Sequence, residues 1–433
     1  MSFERSFTLA LLSAPVILEW MRRFVDRPSL AVGASPSIEK TISLVGKRLT
    51  GAIRAVLDAI PGYPCGPQEL ARTLGINKDL SGRALNASDK KDPLAALHQM
   101  PGPAPLRQLL NAALRKGVAK RLIDEAAEAV RQFDLLIRQQ AGDRVSLDGI
   151  ISTWLPGARE RFEMFNKQAV HRGMGQLKGV MADVTIQTAL LYPAADGERV
   201  DGVWIAGSVG LRRIRPTVVV HYCSHRLAPD APRDCPLTLD GEPVVGLRGL
   251  LLEEFCSSPL PVFDARHQGT AVHYTLAGDA VGPASAVDLL FAELTLGCMP
   301  RYRDAGQLKK HGASAEITTP TKTLIFDAFL HEQVYPGLQP ELVLYDTAVN
   351  GLADLNDPTR DIDRLDVNET VESLGWGAAM FRVPEVGDYV EILRHIFGRI
   401  GRDDREFRGY RCKVQYPIYG SQLCMAFTPP EKP

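Results

Sequence analysis

The chain has 433 residues, 45% of them hydrophobic, and a formal net charge of −1. That composition can fill at least two cores and excludes a disordered or low-complexity chain. No apolar run approaches the length of a membrane span, and the seven cysteines, an odd number without a paired framework, fit a reducing cytoplasm.

Residues 1–35 read as one helix followed by a loop. The stretch 7–18 is apolar enough to resemble a short signal segment, but Glu4, Arg5, Glu19, Arg22 and Arg23 flank it, so an amphipathic helix is expected instead. Ser37 can cap a helix over 38–60 with Ile42, Val45 and Leu49 on one side. Residues 67–85, PQELARTLGINKDLSGRAL, carry a helix-turn-helix pattern. Pro67 suits the first helical position, Leu70, Ala71 and Leu74 share a face, Gly75 suits a turn that needs positive φ, and Asn77 can cap the next helix. That second helix, from about Lys78 to Ala87, exposes Lys78, Arg83 and Asn86. It departs from the usual pattern at Ser81, where a branched apolar residue is common, and at Gly82. An ordinary helical hairpin is the competing reading.

A short helix follows Asp92-Pro93, and residues 100–105, MPGPAP, are expected to be non-helical. Helices follow over 106–116 and 119–140, the second with Leu122, Ala126, Ala129, Val130, Phe133 and Ile137 as its apolar stripe. Residues 145–176 continue helically, with Trp154 and Phe162 in the core. Strands are expected at 180–192, 203–209, 217–223, 270–277, 321–330, 341–345, 412–417 and 423–427, and helices at 247–255, 285–296 and 386–400. The fold class is α+β: an all-helical N-terminal helix-turn-helix domain, then a larger mixed domain with a mainly antiparallel sheet or sandwich. The boundaries read as 1–35, 36–140, 141–178 for connecting helices, and 179–433.

Charge divides along the same line. Residues 36–121 hold fourteen Lys and Arg against six Asp and Glu, a net +8, and residues 1–35 carry +1, which leaves −10 for 122–433. A basic front and an acidic back fit a chain in which one domain meets phosphates.

Other constellations carry less. His221, Cys223 and His225 of HYCSH could converge on one strand face near Cys235, but no second ligand pair completes a zinc site, so no metal and no cofactor are expected. Ser208 of AGSVG resembles a nucleophile elbow that lacks its following helix. Arg213 and Arg215 of LRRIRP could share a strand face and meet an anion or a partner. The acidic run Asp354, Asp357, Asp361, Asp363 and Asp366 lacks the order of a calcium loop, and no phosphate loop is present.

Residues 65–117, with GDRVSL at 142–147 and VGLRRIRP at 209–216, resemble a group of uncharacterised bacterial proteins. These join a predicted helix-turn-helix to a large domain of unknown role and are labelled transcriptional regulators on that helix-turn-helix alone. The resemblance implies a regulator and supplies no catalytic residues.

The expectation is therefore a cytoplasmic bacterial DNA-binding protein, a homodimer on double-stranded DNA, with a back domain that senses an unknown small ligand or drives assembly. Lys47, Arg48, Arg72, Lys90 and Lys91 would meet phosphates; Asn77, Lys78, Arg83 and Asn86 would meet bases. A scaffolding protein whose helix-turn-helix packs on protein, and an enzyme with an unrecognised site in the back domain, are the alternatives.

Overall fold

The computed structural model describes residues 37–226, 236–269 and 271–432. The apolar stretch at 7–18 and Cys235 lie outside them. The chain divides into two compact units, one ending at Arg159 and the other beginning at Glu160. Among the described residues no helix is long and apolar enough to cross a membrane. The fold is α+β with mostly antiparallel sheets.

The first unit is helical: α1 (Ile38–Asp58), α2 (Pro67–Leu74), α3 (Lys78–Ser88), α4 (Pro93–Gln99), α5 (Pro103–Arg115), α6 (Lys120–Leu136), α7 (Arg144–Ser152) and the start of α8 (Pro156–Lys178). Ser37 caps α1 by accepting the Lys40 amide. The stripe expected on α6 is buried at Ala126, Ala129, Val130 and Phe133, with Ile123 in place of the half-buried Leu122. These side chains form one core with Ile42, Leu49 and Ile53 of α1 and Leu94 and Leu97 of α4.

Two expectations change here. Residues 103–105 are the first turn of α5. Proline lacks only an N–H that the first helical turn cannot use, so Pro103 and Pro105 start the helix and do not prevent it. The unit also runs past residue 140. Leu147 and Ile151 of α7 are fully buried in its core, and the Arg144 guanidinium donates to the carbonyls of Leu97 and His98, both at 2.9 Å. The segment 141–159 therefore belongs to the helical unit and is not a connector.

The second unit is built on a six-stranded sheet ordered β10-β11-β8-β1-β2-β6. Its strands are β1 (Val180–Pro193), β2 (Arg199–Arg213), β6 (Val287–Pro300), β8 (Thr321–His331), β10 (Glu372–Trp376) and β11 (Phe407–Gln415). All pairs are antiparallel except β1 with β8. Alternation along these strands fills two cores. Val184, Ile186 and Leu190 of β1 face Tyr389, Ile392, Leu393 and Ile396 of α9 (Tyr389–Arg399). Ala189 and Leu191 face the opposite side, packing with β7 (His311–Glu316) and β12 (Ser421–Phe427). Those two strands and β9 (Glu341–Asp346) form a three-stranded sheet; β3 (Val220–Arg226), β4 (Phe263–Gln268) and β5 (Ala271–Leu276) form another.

One row of polar side chains crosses the sheet inside the first of these cores. Thr188, Asp327 and Arg411 are lateral neighbours on β1, β8 and β11. Arg411 grips Asp327 with two bonds of 2.8 and 2.7 Å. The Tyr389 hydroxyl donates to Asp327 at 2.7 Å and meets Thr188 at 2.7 Å. Arg411 also donates to the Phe381 carbonyl at 2.9 Å. Asp327 is wholly buried. Gly409 makes room beside this row: a Cβ there would lie 1.5 Å from the Phe381 ring.

Residues 285–296 are expected as a helix, but from Val287 on they are strand β6. Leu290, Ala292 and Leu294 pack into the α9-side core while Phe291 and Glu293 point to the other face. Pairing with β2 overrides the helical propensity of its Leu, Ala and Glu. Residues 247–255 hold only two single 3-10 turns, Leu247–Gly249 and Glu253–Phe255, because between them Leu252 N–H and Leu250 C=O bond to Leu290 and Ala292 and cover the β6 edge. The strand expected at 217–223 begins at Val220, since Thr217 takes φ of 67° and turns the chain.

Three outcomes follow. A fragment of residues 37–159 unfolds cooperatively by circular dichroism, whereas one ending at 140, lacking Leu147 and Ile151, loses about 2–5 kcal/mol per missing side chain and has little cooperative transition. Arg411→Met strands the buried Asp327 carboxylate and lowers urea-unfolding stability by about 3–5 kcal/mol; a loss under about 1 kcal/mol would show the pair to be dispensable. Gly82→Ala raises stability by about 0.5–1 kcal/mol in the same assay, because a Cβ there meets only the Pro67 Cβ at 3.7 Å, an ordinary contact.

Candidate functional site

The corner between α2 and α3 forms because each local signal agrees with the next. Pro67 opens α2, and Gly75 closes it in the left-handed region with φ of 66°. The Asn77 side-chain oxygen accepts the Asp79 amide at 2.6 Å and caps α3. Leu70, Ala71 and Leu74 of α2, and Leu80, Ala84, Leu85 and Ala87 of α3, are buried. Ser81 is also fully buried, and its hydroxyl donates to the Pro67 carbonyl at 2.8 Å. At this departure from the apolar pattern, a hydrogen bond ties the second helix to the start of the first.

With that face buried, helical periodicity turns Lys78, Asp79, Arg83 and Asn86 to solvent. Arg72 at the end of α2, and Lys90 and Lys91 after α3, are also exposed. Asn77 is exposed, but its carbonyl is used by the cap, which leaves its amide hydrogens to a ligand. The Arg83 guanidinium reaches the Met100 carbonyl at 3.3 Å, a single bond that leaves most of its donors open. Lys47 and Arg48 are exposed on α1, and Arg48 donates to Gln132 of α6 at 3.0 Å. Arg54, not singled out from sequence, pairs with Asp89 at 2.6 Å and neutralises an acid at the end of α3. Arg72, Asn77, Lys78, Arg83, Asn86, Lys90 and Lys91 thus belong to one corner, while Lys47 and Arg48 sit on a different helix.

Arg213 and Arg215 of LRRIRP do not share a strand face. β2 ends at Arg213. Arg213 is buried and donates to the carbonyls of Val218 at 2.7 Å, Leu276 at 3.1 Å and Ala280 at 3.4 Å, so it holds the β2–β3 and β5 connections. Arg215 lies beyond the strand and donates to the Leu177 carbonyl at 2.5 Å. Among the acidic run, Asp357 caps a 3-10 turn through the Thr359 amide, and Asp363 is tied to Arg360 at 2.7 Å.

The second unit holds a cavity of about 480 Å³, the size of a small-molecule site. Its floor is the face of the large sheet away from α9: Thr185 and Gln187 of β1, Trp204, Ala206 and Ser208 of β2, and Phe291 and Glu293 of β6. Ser314 and Glu316 of β7 and His221 to Ser224 of β3 complete the walls. Burial raises the carboxyls of Glu293 and Glu316 above their ordinary range. Ser208 sits mid-strand, opposite Thr185 and Leu289, and so cannot form an elbow.

The HYCSH strand is not regular. A bulge between His221 and Cys223 shifts its register against β5. His221 and Cys223 therefore leave the common face expected of them. Cys223 is buried, with its thiol pushed up to about 12 by burial and by Glu293. His221 instead shares a side with Ser224. The Ser224 hydroxyl lies 2.7 Å from His221 Nε2 and 2.7 Å from Nδ1 of His273, its cross-strand partner on β5. Among the described residues no three His, Cys, Asp or Glu side chains gather as a metal would require.

No family model, no curated protein and no solved structure matches this chain.

Proposed function

We propose that the chain is a DNA-binding protein, a transcriptional regulator whose first unit meets duplex DNA through the α2–α3 corner and whose second unit takes a small ligand in its cavity. The observation that carries this reading is the capped, half-buried helix α3, which turns Lys78, Arg83 and Asn86 outward from a corner closed by Gly75. A helix presented this way fits the major groove, with side chains of its exposed face at base edges. The net +8 of residues 36–121 supports contact with phosphates, to which Lys47, Arg48, Arg72, Lys90 and Lys91 contribute. Arg83 reads guanine through two parallel bonds to O6 and N7, and Asn86 and Lys78 flank it. One such corner buries little DNA surface, so the protein acts as a homodimer on two half-sites about 34 Å apart.

The test is binding of the full chain to duplexes selected from a random pool, titrated with salt. Five phosphate contacts give a log–log slope near −4 to −5, a loss of about 10²- to 10³-fold between about 50 and about 200 mM salt. Arg83→Ala weakens the selected duplex by about 1–3 kcal/mol and random duplex little, whereas Lys47→Ala weakens both alike. A chain that retains no duplex at about 50 mM salt is not a DNA-binding protein, and the scaffolding reading replaces this one.

A further inference from the structure

We propose that Ser224 is a nucleophile, with His221 as its base and His273 as a hydrogen-bond donor to its oxygen, and that the second unit hydrolyses small esters at the cavity Ser224 borders. The proposal concerns the second unit and is independent of DNA binding by the first.

The backbone supports it first. Residues 221 and 224, three apart on a regular strand, would point to opposite faces. The bulge after His221 cancels that alternation and brings the two side chains to one side. Bulges re-aim side chains in this way and cluster beside active sites. Pairing of Ser224 with His273 across the β3–β5 ladder then supplies the second imidazole in register. The two rings are 5.8 Å apart, centroid to centroid, with the hydroxyl between them.

Proton counting assigns the roles. A serine hydroxyl has one hydrogen to donate and lone pairs to accept. Of two ring nitrogens at 2.7 Å, one accepts that hydrogen and the other donates its own. His221 lines the cavity and His273 does not, so His221 Nε2 takes the proton beside the substrate, and the bond from His273 Nδ1–H holds the hydroxyl with its hydrogen turned to His221. Partial burial, and then the neighbouring His273 and Lys178, push the His221 imidazole below its ordinary value, the direction that favours a neutral base.

The cavity suits a small polar ester. Thr185 Oγ1 is buried without a hydrogen-bond partner, and Thr185 and Gln187 line the same space as Ser224. Their hydroxyl and amide hydrogens are available to an ester oxygen. In the reaction, Ser224 Oγ bonds to the carbonyl carbon as its proton passes to His221. The carbon–oxygen bond to the alcohol breaks, and the alcohol leaves with that proton. Water then cleaves the acyl-serine with the same base, releasing the acid and restoring Ser224. Atoms and charge balance without metal or redox partner.

The experiment treats the full chain with a fluorophosphonate, which forms an Oγ–P bond with loss of fluoride, and maps the adduct by peptide mass. A single adduct on Ser224 is expected, and it is absent from Ser224→Ala of unchanged circular dichroism. His221→Gln slows labelling, and hydrolysis of p-nitrophenyl acetate, by about 10²- to 10⁴-fold; His273→Gln slows both by about five- to tenfold, the worth of one hydrogen bond. Folded wild-type chain with no label on Ser224, or His221→Gln labelled as fast as wild type, overturns the proposal.

Discussion

The second unit depends on the buried pairing of Asp327 with Arg411. Asp327 is fully buried and Arg411 nearly so, and each charge is tolerable only because the other is in place with its remaining polar atoms answered. The geometry is demanding: two parallel bonds between neighbouring strands, with a tyrosine hydroxyl from α9 and a threonine from β1 closing the shell. A one-residue slip of β11 against β8 would turn Arg411 to the opposite face and leave Asp327 alone. The pair therefore fixes the register of three strands and the seat of α9 together. It also explains Gly409, whose missing side chain admits the Phe381 ring, and through it the Phe381 carbonyl that Arg411 needs. The opposite sheet face, framed by that register, is where the cavity opens.

The two units solve unlike problems. The first caps its helices locally, within a few residues, and adds a few longer reaches such as Arg144 to the Leu97 and His98 carbonyls. Ser37, Asn77, Asp92 and Asp143 each accept the amide of a residue two or three positions on. The second satisfies its polar groups over long sequence distances: Thr188 meets Tyr389, and Gly210 N–H donates to Asp288. Local satisfaction leaves a marker in the sequence; distant satisfaction does not.

That difference governs what could be read from sequence. The α2–α3 corner was legible residue by residue, because proline, glycine and asparagine sit where backbone geometry demands them. Strands β1, β8 and β12 were legible from β-branched and apolar runs. Strand β6 was not, since Leu, Ala and Glu suit a helix and only the neighbouring β2 makes it a strand. Arg213 differs for a related reason: its carbonyl partners Val218, Leu276 and Ala280 come from a strand end and two connections whose places the sequence does not mark. The cavity left one signal. Thr185 and Gln187 alternate with Val184 and Ile186 in a strand expected to be buried, so a polar face was present there to be noticed. The bulge that joins His221 to Ser224 left none, because the extra residue is an ordinary tyrosine.

The central claim, that the α2–α3 corner is the DNA-contacting surface, is tested most directly by hydrogen exchange on the full chain with and without a selected duplex. The account predicts slowed amide exchange over residues 72–91, with smaller effects beside Lys47 and Arg48 on α1. It also predicts no change in the strands around the cavity. Unchanged exchange at 72–91 while the duplex is bound, or slowing confined to the second unit, would contradict it.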